Sequence, residues 1–448
     1  MKRFLALILS ISCMLPLAAC GGKADGLLLA APSYPKMAPY PDEMSYVKSD
    51  GEFDDEGFSK AYDAWWAGKK AQLDQSEGYA GALDGYLRRS IPALLSGGAG
   101  ENRVCSPVNI YMALAMLVET TDGGSRAQLL ELLGSDSLKS LRAEAAAVWN
   151  ANYCDDGAVT SVLANSMWLS EGVNYTKSTL DSLARNYYAS SFSGRMGSDE
   201  LNAALQGWVN EQTGGLLSEQ AGALKMPPET ILALVSTIYY RAKWHGEFPE
   251  GRTEPQVFHA PGGDIERDFM HSSADSMYYW SDKFAAYGKP LEGSGSMWFL
   301  LPDEGVTPEQ LLADEKAMEF LVSDGERGAE SEFLIVNLAV PKFDIAAQLE
   351  LSESLTALGV RDVFDPEVSD FSPLTKDADG VFLSRAEHAA RVAIDEQGVT
   401  AAAYTVMMMA GAAMPPEEEV DFVLDRPFLF AITSSDGLPL FVGIVNEP

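Results

Sequence analysis

One segment near the C-terminus, Glu396–Thr405 with the sequence EQGVTAAAYT, is the most informative part of this chain. After Glu396 it opens a run without proline or charge that continues through Met414 and then meets two prolines and the acidic triplet 417–419. Small and β-compatible side chains with every backbone N–H free to pair are suited to a central β-strand. The flanking glycine and prolines nevertheless indicate a loop. The pattern therefore predicts a segment suited both to exposure and to insertion into a sheet.

The composition is that of a large and strongly acidic globular chain. Its 448 residues include 65 Asp and Glu against 32 Lys and Arg, which leaves a formal net charge of −33. Apolar residues make up 47%, enough for a large buried core, so wholesale disorder is excluded. Because nucleic acid and anionic bilayer surfaces would repel such a chain, we expect no nucleic acid as a partner and no electrostatic attraction to a membrane.

The N-terminus predicts export. Two basic residues precede an apolar run over 4–14, and small residues lead to Cys20. This is the pattern of a secretory signal, which is too short to stay in a membrane as a span. Leu17-Ala18-Ala19-Cys20 resembles the lipobox of bacterial lipoproteins, in which the cysteine is lipidated and becomes the first residue. We therefore expect residues 1–19 to be removed as a signal peptide. The chain would then be secreted and anchored at the cell surface through a lipid on Cys20. The alternative is an ordinary signal with a chance cysteine.

Residues 20–77 are expected to form a lipid-anchored tether and N-terminal extension. Positions 21–45 are rich in Gly, Ala, Pro and Tyr, a composition typical of an extended linker. The segment 58–73 predicts a short helix packed on the body. If Cys13 is lost with the signal and Cys20 is lipidated, only Cys105 and Cys154 remain as unmodified cysteines, and two cysteines do not make a disulfide framework. They are either buried thiols or one bridge.

Hydrophobic periodicity predicts an α+β domain. Helical spacing predominates in the first part of the body and strand-like runs in the second, without regular β-α-β alternation, so a doubly wound parallel sheet is excluded. The segments with helical spacing are 79–95, 110–118, 126–133, 177–187 and 201–212. The strand-like segments are 158–169, 231–240, 297–301, 333–343, 389–394, 420–424, 428–433 and 440–445.

The motifs of common active sites are missing from the sequence. The four histidines form no His-Glu-x-x-His pair and there is no Cys-x-x-Cys, so the sequence indicates no metal site. It contains no Gly-x-x-x-x-Gly-Lys-Ser/Thr phosphate loop and no Gly-x-Ser-x-Gly nucleophile elbow. We therefore predict no catalytic residue and no cofactor, in a protein that is not an enzyme.

Glu396–Thr405 closely resembles the hinge and reactive-centre loop of the serpin family, whose pattern is Glu-x-Gly-Thr-x-Ala-Ala-Ala-x-Thr. Further family motifs follow in the family's order, so the chain is identified as a member. They are Asn102, Ser106-Pro107 with 113–117, Trp208-Val209 with Thr213 and Gly215, 238–244 with Phe248, Leu300-Leu301-Pro302, Pro341-Lys342-Phe343, Asp370-Phe371-Ser372, Arg426-Pro427-Phe428 and Leu440-Phe441-Val442-Gly443. The resemblance makes residues 78–448 the serpin domain, with the reactive-centre loop at about 396–420.

The resemblance implies a metastable, monomeric fold of three β-sheets and about nine helices. A serine protease, in some members a cysteine protease, attacks the exposed loop and forms an acyl-enzyme. The freed N-terminal half of the loop then inserts into the main sheet as an extra strand and distorts the protease before deacylation. The resemblance thus implies an irreversible suicide-substrate inhibitor of serine proteases. The alternative is a non-inhibitory serpin that acts as a carrier or binding scaffold.

The hinge residues are compatible with insertion. Because strand side chains alternate between faces, Val399, Ala401, Ala403 and Thr405 would share the buried face. None is charged, and burying a charge there would cost several kcal/mol. The family usually has Ser or Thr where Val399 stands, and we expect the valine to be tolerated. A charged, bulky or proline-containing hinge, expected of a carrier, is not present. The hinge comprises Glu396, Gly398, Val399, Thr400, Ala401, Ala402 and Ala403.

The resemblance also assigns residues to the region where the main sheet opens. The family uses two Ser, an Asn and a His there, which correspond to Ser106, Asn109, Ser236 and His388. Asn109 and Ser236 look exchanged relative to the family pattern. We expect them still to hydrogen-bond across the opening, with their roles exchanged.

A second group in this region lies at the top of the main sheet, according to the same resemblance. Lys342 and Glu396 resemble the family's ion pair at this position, beneath Trp244. The alternative is two unrelated surface charges, whose interaction would contribute ~0–1 kcal/mol. We expect the pair to form.

Counting along the loop predicts the bond that the protease cleaves. The family's count of sixteen residues from Glu396 ends at Ala412, so Ala412–Ala413 is the predicted reactive bond. Gly411–Ala412 and Ala413–Met414 are the runners-up, and cleavage after Met414 is disfavoured because proline follows it. Alanine suits the shallow primary pocket of an elastase-type protease, since it offers no cation to a trypsin-like pocket and little area to a chymotrypsin-like one. We therefore expect elastase-like targets.

Overall fold

The computed structural model describes residues 26–75, 78–98, 100–293, 295–377, 380–399 and 418–448. Helices and strands are both abundant, which confirms the α+β class. The described residues contain twelve α-helices rather than about nine, because four of them are short segments of four to six residues. They are α1 (Asp55–Leu73), α2 (Tyr79–Ala82), α3 (Asp84–Leu95), α4 (Pro107–Thr120), α5 (Gly123–Leu133), α6 (Leu138–Asn152), α7 (Lys177–Asn186), α8 (Asp199–Gln212), α9 (Ser218–Ala223), α10 (Pro308–Leu312), α11 (Glu315–Val322) and α12 (Ser352–Ala357).

Every segment that periodicity predicted contains an element of the expected type, and the described strands outnumber the predicted ones. The strands are β1 (Leu28–Ala30), β2 (Arg103–Cys105), β3 (Cys154–Asp155), β4 (Thr160–Ser170), β5 (Ala189–Gly194), β6 (Leu232–Lys243), β7 (Thr253–Ala260), β8 (Gly263–Trp280), β9 (Phe284–Pro290), β10 (Ser296–Pro302), β11 (Glu330–Pro341), β12 (Phe343–Glu350), β13 (Leu383–Ile394), β14 (Gly398–Val399), β15 (Glu419–Val423), β16 (Phe428–Thr433) and β17 (Pro439–Val445).

The described strands form two hydrogen-bonded sheets, where the resemblance implied three. One has eight strands, in the order β1-β5-β4-β6-β14-β13-β12 with β3 beside β4. The other has nine, in the order β15-β11-β8-β9-β10-β16-β17-β2 with β7 beside β8. The count is two because the 18-residue strand β8 pairs with β7 and β11 along its length and also, through its last two residues, with Ala285 and Ala286 of β9. One long strand thus joins regions that shorter strands would leave as separate sheets.

Helix α4 lies at the centre of the core, between the two sheets. All fourteen of its residues are buried, and it packs against β4 and β6 of one sheet and β17 of the other. Such a helix, mostly apolar and buried on all sides, is typical of a protein interior. Ser106 caps it by accepting a hydrogen bond from the backbone N–H of Asn109, and Pro107 occupies the first turn, where its missing N–H is not needed. The cap places Ser106 and Asn109 next to β6 and β13 of the eight-stranded sheet.

The N-terminal extension follows one edge of the body. Strand β1 pairs with the edge strand β5, and α1 contacts the body through Trp65, whose indole N–H donates to a carboxylate oxygen of Asp156 at 2.9 Å. Among the described residues, no helix has the length and apolar character needed to cross a membrane.

Candidate functional site

The candidate site is a slot in the eight-stranded sheet between β6 and β13. The two strands pair directly and in parallel from Leu232 opposite Leu383 to Thr237 opposite Ala389. Past Thr237 and Ala389, toward the C-terminal ends of β6 and β13, strand β14 lies between the two strands and is antiparallel to both. We call the end of the sheet beside β14 the hinge end and the end beside Leu232 the distal end. The slot is thus closed toward the distal end and held open at the hinge end by the first residues of the hinge.

Gly398 and Val399 fit tightly in the open part of the slot. Val399 is 1% exposed and lies opposite Ala242 on β6 and Ile394 on β13. Gly398 lies opposite Lys243, and a Cβ atom at this position would come within 2.3 Å of the carbonyl oxygen of Ala242. Only glycine permits this approach of two backbones. The start of the hinge is therefore already part of the sheet before any cleavage.

Lys342 and Glu396 contact each other at the mouth of the slot. The Lys342 ammonium lies 3.1 and 3.0 Å from the two carboxylate oxygens of Glu396, and the Thr253 hydroxyl donates to the same carboxylate at 2.8 Å. Burial raises the pKa of Glu396, but hydrogen bonds from its own backbone N–H, Lys342 and Thr253 outweigh burial, so the pKa is lowered overall. The charged carboxylate thus ties the first hinge residue to the body.

His388 and Ser236 face each other where β6 and β13 pair directly. The backbone N–H of Ser106 donates to His388 Nε2 at 2.9 Å. Because a backbone N–H can only donate, Nε2 is the acceptor, and the neutral ring carries its proton on Nδ1. Nδ1 therefore donates to the Ser236 hydroxyl, 2.9 Å away. Complete burial lowers the pKa of His388 to about 3, so the ring is neutral at physiological pH.

Asn109 uses different partners in the same region. Its amide nitrogen donates to the carbonyl oxygen of Thr237 at 2.7 Å, and its amide oxygen accepts from Asn165 at 3.1 Å. The hydroxyl of Ser236 therefore contacts the histidine, while the amide of Asn109 ties α4 to β6 and β4. Sequence reasoning did not single out Asn165, because an asparagine within the apolar strand β4 carries no motif.

A family model described as Serpin (serine protease inhibitor) matches residues 91–448. The chain belongs to the serpin family. The family is described by the inhibition of serine proteases, and its members are not themselves enzymes. The match covers the slot, the hinge and every described strand except β1, which belongs to the N-terminal extension that precedes it.

Among the relatives of this serpin is the leukocyte elastase inhibitor of Sus scrofa, 30% identical over 371 residues, which cover 80% of this chain and 96% of the relative. Serpin-Z1C of Triticum aestivum is 29% identical over 368 residues, covering 78% and 91% of the two chains. The thermophilic serpin tengpin in its native state superposes with a TM-score of 0.74 at 24% identity, covering 84% of this chain and 95% of tengpin. This structural likeness supports the fold.

Trp244 and Asp395 fix the path of the chain into the slot of this serpin. The Trp244 indole donates to the Asp395 carbonyl oxygen at 2.8 Å, and its backbone N–H donates to the Gln397 carbonyl oxygen at 3.0 Å. The Asp395 side chain accepts from the N–H groups of Gln397 and Gly398 at 2.9 and 3.1 Å. Asp395 was not predicted, although Asp-x-x-Gly is a turn pattern that could have identified it.

A second lysine, Lys289 on β9, lies behind Trp244. Its ammonium is 5.7 Å from the centroid of the Trp244 ring and 4.4 Å from that of Phe248, and the residue is 6% exposed. Burial lowers the pKa of Lys289 to about 8, and the two aromatic rings offset part of the penalty on its charge. Sequence reasoning missed this residue, because it reaches the slot from the other sheet.

The rest of the predicted site lies outside the described residues, and its roles stay predictions. This part comprises Cys20, the hinge residues Thr400, Ala401, Ala402 and Ala403, and the reactive-bond residues Gly411, Ala412, Ala413 and Met414. Cys105 and Cys154 are described, and both are free, buried thiols. Burial raises the pKa of each to about 12, so neither thiol is activated.

Proposed function

We propose that this serpin is an irreversible inhibitor of serine proteases that inserts its cleaved loop between β6 and β13. The observation that carries the proposal is strand β14, because Gly398 and Val399 already pair with both strands of the slot. β6 and β13 are parallel to each other, and β14 is antiparallel to both. A longer insert would therefore replace one parallel pairing with two antiparallel ladders, which adds hydrogen bonds and apolar burial.

The register of β14 supports this mechanism. Continued one residue at a time along β6, the pairing of Val399 with Ala242 would place Met409 opposite Leu232, the first residue of that strand. The residues after Val399 up to Met409 are thus the number needed to reach the distal end. None of them is charged or a proline, so each has an N–H that can join the new ladders.

The same register suggests a role for Thr405. It would bring Thr405 between Ser236 and His388, whose hydrogen bond must break when β6 and β13 separate. A threonine hydroxyl can both donate and accept. It would serve both buried groups in the expanded sheet, and an unpaired buried polar group would otherwise cost about 1–3 kcal/mol.

We further propose elastase-like serine proteases as the targets. The predicted reactive bond, Ala412–Ala413, presents a small side chain to the primary pocket of the protease. The name of the porcine relative, leukocyte elastase inhibitor, agrees with this choice. A cysteine protease with a similarly shallow pocket is the second target class.

The test of inhibition is a covalent complex that survives denaturation. An elastase-type protease should give a band whose mass is the sum of both chains less the released C-terminal fragment, while trypsin should give none. Ala412→Arg should reverse this preference, because it supplies the cation that a trypsin-like pocket pairs. Trapping of trypsin but not elastase by the unmodified chain would overturn the choice of target, whereas cleavage by a panel of proteases without any complex would overturn inhibition.

A hinge variant separates an inhibitor from a carrier. Ala401→Pro removes an N–H from the strand that must insert, so the loop should be cleaved without a complex. Ala401→Ser keeps the N–H and the small size, and should still trap. A carrier would show no complex in any of the three forms.

We also propose that the chain acts as a monomer anchored at the bacterial cell surface through lipidated Cys20. The lipobox and the basic, apolar start of the chain support this proposal. Cys20→Ser should abolish incorporation of a labelled fatty acid and release the protein from the membrane fraction. Unchanged membrane recovery of this variant would contradict anchoring.

A further inference from the structure

We propose that the lipid anchor leaves the body at the distal end of the eight-stranded sheet, so that the bilayer lies at that end and the reactive loop points away from it. The proposal rests on the proposed lipidation of Cys20 and adds an orientation that lipidation by itself does not specify. Two observations support it: the directions of the strands, and the small number of residues between Cys20 and the body.

Strand directions identify which end of the sheet is distal. The hinge lies beside Ala242, at the C-terminal end of β6. Strand β4 is antiparallel to β6, and Leu169 near its C-terminal end lies opposite Leu232. Strand β5 is parallel to β4, and its last residue, Gly194, lies opposite Ser170. The C-terminal ends of β4 and β5 are therefore both at the distal end.

The N-terminal extension meets the body at this distal end. Leu28 pairs with Phe192, and the carbonyl oxygen of Leu27 accepts from the N–H of Ser193 at 2.8 Å. A Cβ atom on Gly194 would come within 3.0 Å of the Leu27 side chain, so the two residues are closely packed. From here the chain runs toward the hinge end, because β1 is antiparallel to β5.

Contacts farther along keep the extension on this path. The Tyr34 ring packs on Trp149 and Tyr153 with centroid distances of 5.6 Å to each. The backbone N–H of Tyr40 donates to the carbonyl oxygen of Asp156 at 2.8 Å, and Asp156 precedes the hinge-end start of β4. These contacts hold the extension on the edge of the eight-stranded sheet from the distal end to the hinge end. The point where the anchoring segment leaves the body therefore stays at the distal end.

The chain between the lipid and the body is too short to let the body turn freely. The seven residue steps from Cys20 to Leu27 span at most about 25 Å when fully extended. The ten steps from Leu232 to Ala242 along β6 span about 33 Å. A net charge of −33 also disfavours a body lying flat on an anionic bilayer. The distal end therefore stays near the bilayer, and the hinge end lies farther out.

This orientation gives the trapping step a direction relative to the membrane. In the proposed mechanism the inserted strand ends near Leu232, so the acylated protease moves from the hinge end to the distal end. A protease of about 220 residues has a radius of gyration of about 17 Å and hence a diameter of about 44 Å, more than the tether can span. Trapping would thus bring the protease from the medium against the bilayer.

The test measures energy transfer to the bilayer from the two ends of the body. The full-length lipidated chain is placed in phosphatidylcholine vesicles that contain a rhodamine lipid as the acceptor. Donor dyes are attached at exposed positions through Glu171→Cys, directly after β4 at the distal end, or Glu250→Cys, at the hinge end between Phe248 and Thr253. The natural thiols in the described residues are buried, so the dye labels the new cysteine.

A spacer variant is the matched control. A flexible Gly-Ser spacer of about 30 residues after Gly22 adds a root-mean-square reach of about 30 Å, comparable with the length of the sheet. We expect transfer from Glu171→Cys to be at least about twofold more efficient than from Glu250→Cys, because the ends are about 33 Å apart along β6. The spacer should remove most of this difference.

Each result bears on a separate part of the proposal. Equal transfer from the two ends, or stronger transfer from the hinge end, in chains that float with the vesicles would overturn the orientation and leave anchoring intact. Chains that do not float would overturn both. A donor on the protease should give more transfer in the covalent complex than when an inactive protease is docked on the loop. The amount of covalent complex on a denaturing gel reports on inhibition independently of orientation.

Discussion

The Nδ1 atom of His388 lies 2.9 Å from the hydroxyl oxygen of Ser236, across the two parallel strands that an inserting loop would have to separate. On the other side of the ring, Nε2 accepts from the backbone N–H of Ser106. The ring is fully buried and neutral, so each nitrogen has one partner and a second proton would have none. The closed part of the slot therefore depends on the histidine staying uncharged.

The first prediction is that acid destabilises the native state through His388. Burial lowers the pKa of this residue to about 3, against 6.5 for an exposed histidine. Since the unfolded chain takes up the proton first, stability is lost as the pH falls from about 6.5 toward about 3, with about 2 kcal/mol lost by pH 5. Urea unfolding at pH 7 and pH 5 measures the loss.

Two variants isolate this effect from the many carboxylates of the chain. His388→Gln keeps a donor and an acceptor and cannot be protonated in this range, so its stability should change less between pH 7 and pH 5. His245→Gln, at an exposed position, should behave like the unmodified protein. Equal pH dependence in all three proteins would show that His388 is not the titrating group.

Periodicity predicts most of the long buried strands, but it misses the buried strands β5 and β9, in which Ser, Ala and Gly weaken the apolar signal, and it fails where buried residues are sparse. Strand β6 is mostly buried and reads as an apolar run, whereas only the more apolar second half of β13, 389–394, was predicted. Strand β7 and the first half of β8 bury few of their side chains, and Glu254, Glu266 and Asp268 are exposed, so apolar residues are too sparse there to indicate a strand. Helix α6 was also missed, because alanines dilute the apolar stripe formed by Leu141, Val148 and Trp149.

The site could be predicted where a family motif coincides with a contact. The motifs for Lys342 and Glu396 anticipated their contact. No motif places Lys289 beside Trp244, because Lys289 lies on β9 and Trp244 directly follows β6, a strand of the other sheet, and sequence spacing does not specify how sheets pack. The seating of Val399 in the slot of the uncleaved chain was likewise not predicted, since it depends on the register between β14 and β6.

The second prediction concerns the ion pair at the mouth of the slot. Lys342 is 37% exposed and Glu396 15% exposed, so solvent screens their attraction and the coupling energy should be about 1 kcal/mol. A double-mutant cycle with Lys342→Met, Glu396→Gln and the double variant measures it by urea unfolding. A coupling energy indistinguishable from zero would mean that the Thr253 hydroxyl and the backbone hold Glu396 without the lysine.

The third prediction is that Lys289 weakens the native state. Burial lowers the pKa of Lys289 to about 8, against 10.5 in the unfolded chain, so the penalty is complete below about pH 8 and disappears as the pH rises toward 10.5. Lys289→Met should therefore stabilise the protein at pH 7 by about 2 kcal/mol, after allowance for the lost contact with the Trp244 and Phe248 rings.

Urea unfolding as a function of pH tests this prediction. The unmodified protein should gain stability between pH 8 and 10, and the variant should not. A variant less stable than the parent at pH 7 would show that the cation–aromatic contact outweighs burial.

The fourth prediction is that the N-terminal extension contributes to the stability of the body. Tyr34 packs on the rings of Trp149 and Tyr153, and its hydroxyl donates to Gln212 at 3.3 Å. Tyr34→Ala should lower the free energy of unfolding by about 2 kcal/mol, because the ring contacts are lost. Tyr34→Phe removes only the long hydrogen bond and should cost less than about 1 kcal/mol. If the alanine variant unfolds like the parent, the extension is only a tether.

The fifth prediction concerns Val399, which is already buried in the slot before cleavage. Val399→Arg places a charge between Ala242 and Ile394, so it should destabilise the intact protein by several kcal/mol as well as block insertion. Val399→Thr, the residue type usual in the family, should be tolerated.

Calorimetry of intact and loop-cleaved protein separates the effect of Val399→Arg on stability from its effect on insertion. The unmodified chain and the threonine variant should melt much higher after cleavage, because the inserted strand adds two ladders. The arginine variant should melt lower when intact and gain little when cleaved. An unmodified chain that gains nothing on cleavage stores no conformational energy in its native state, and the inhibitory mechanism would then have no driving force.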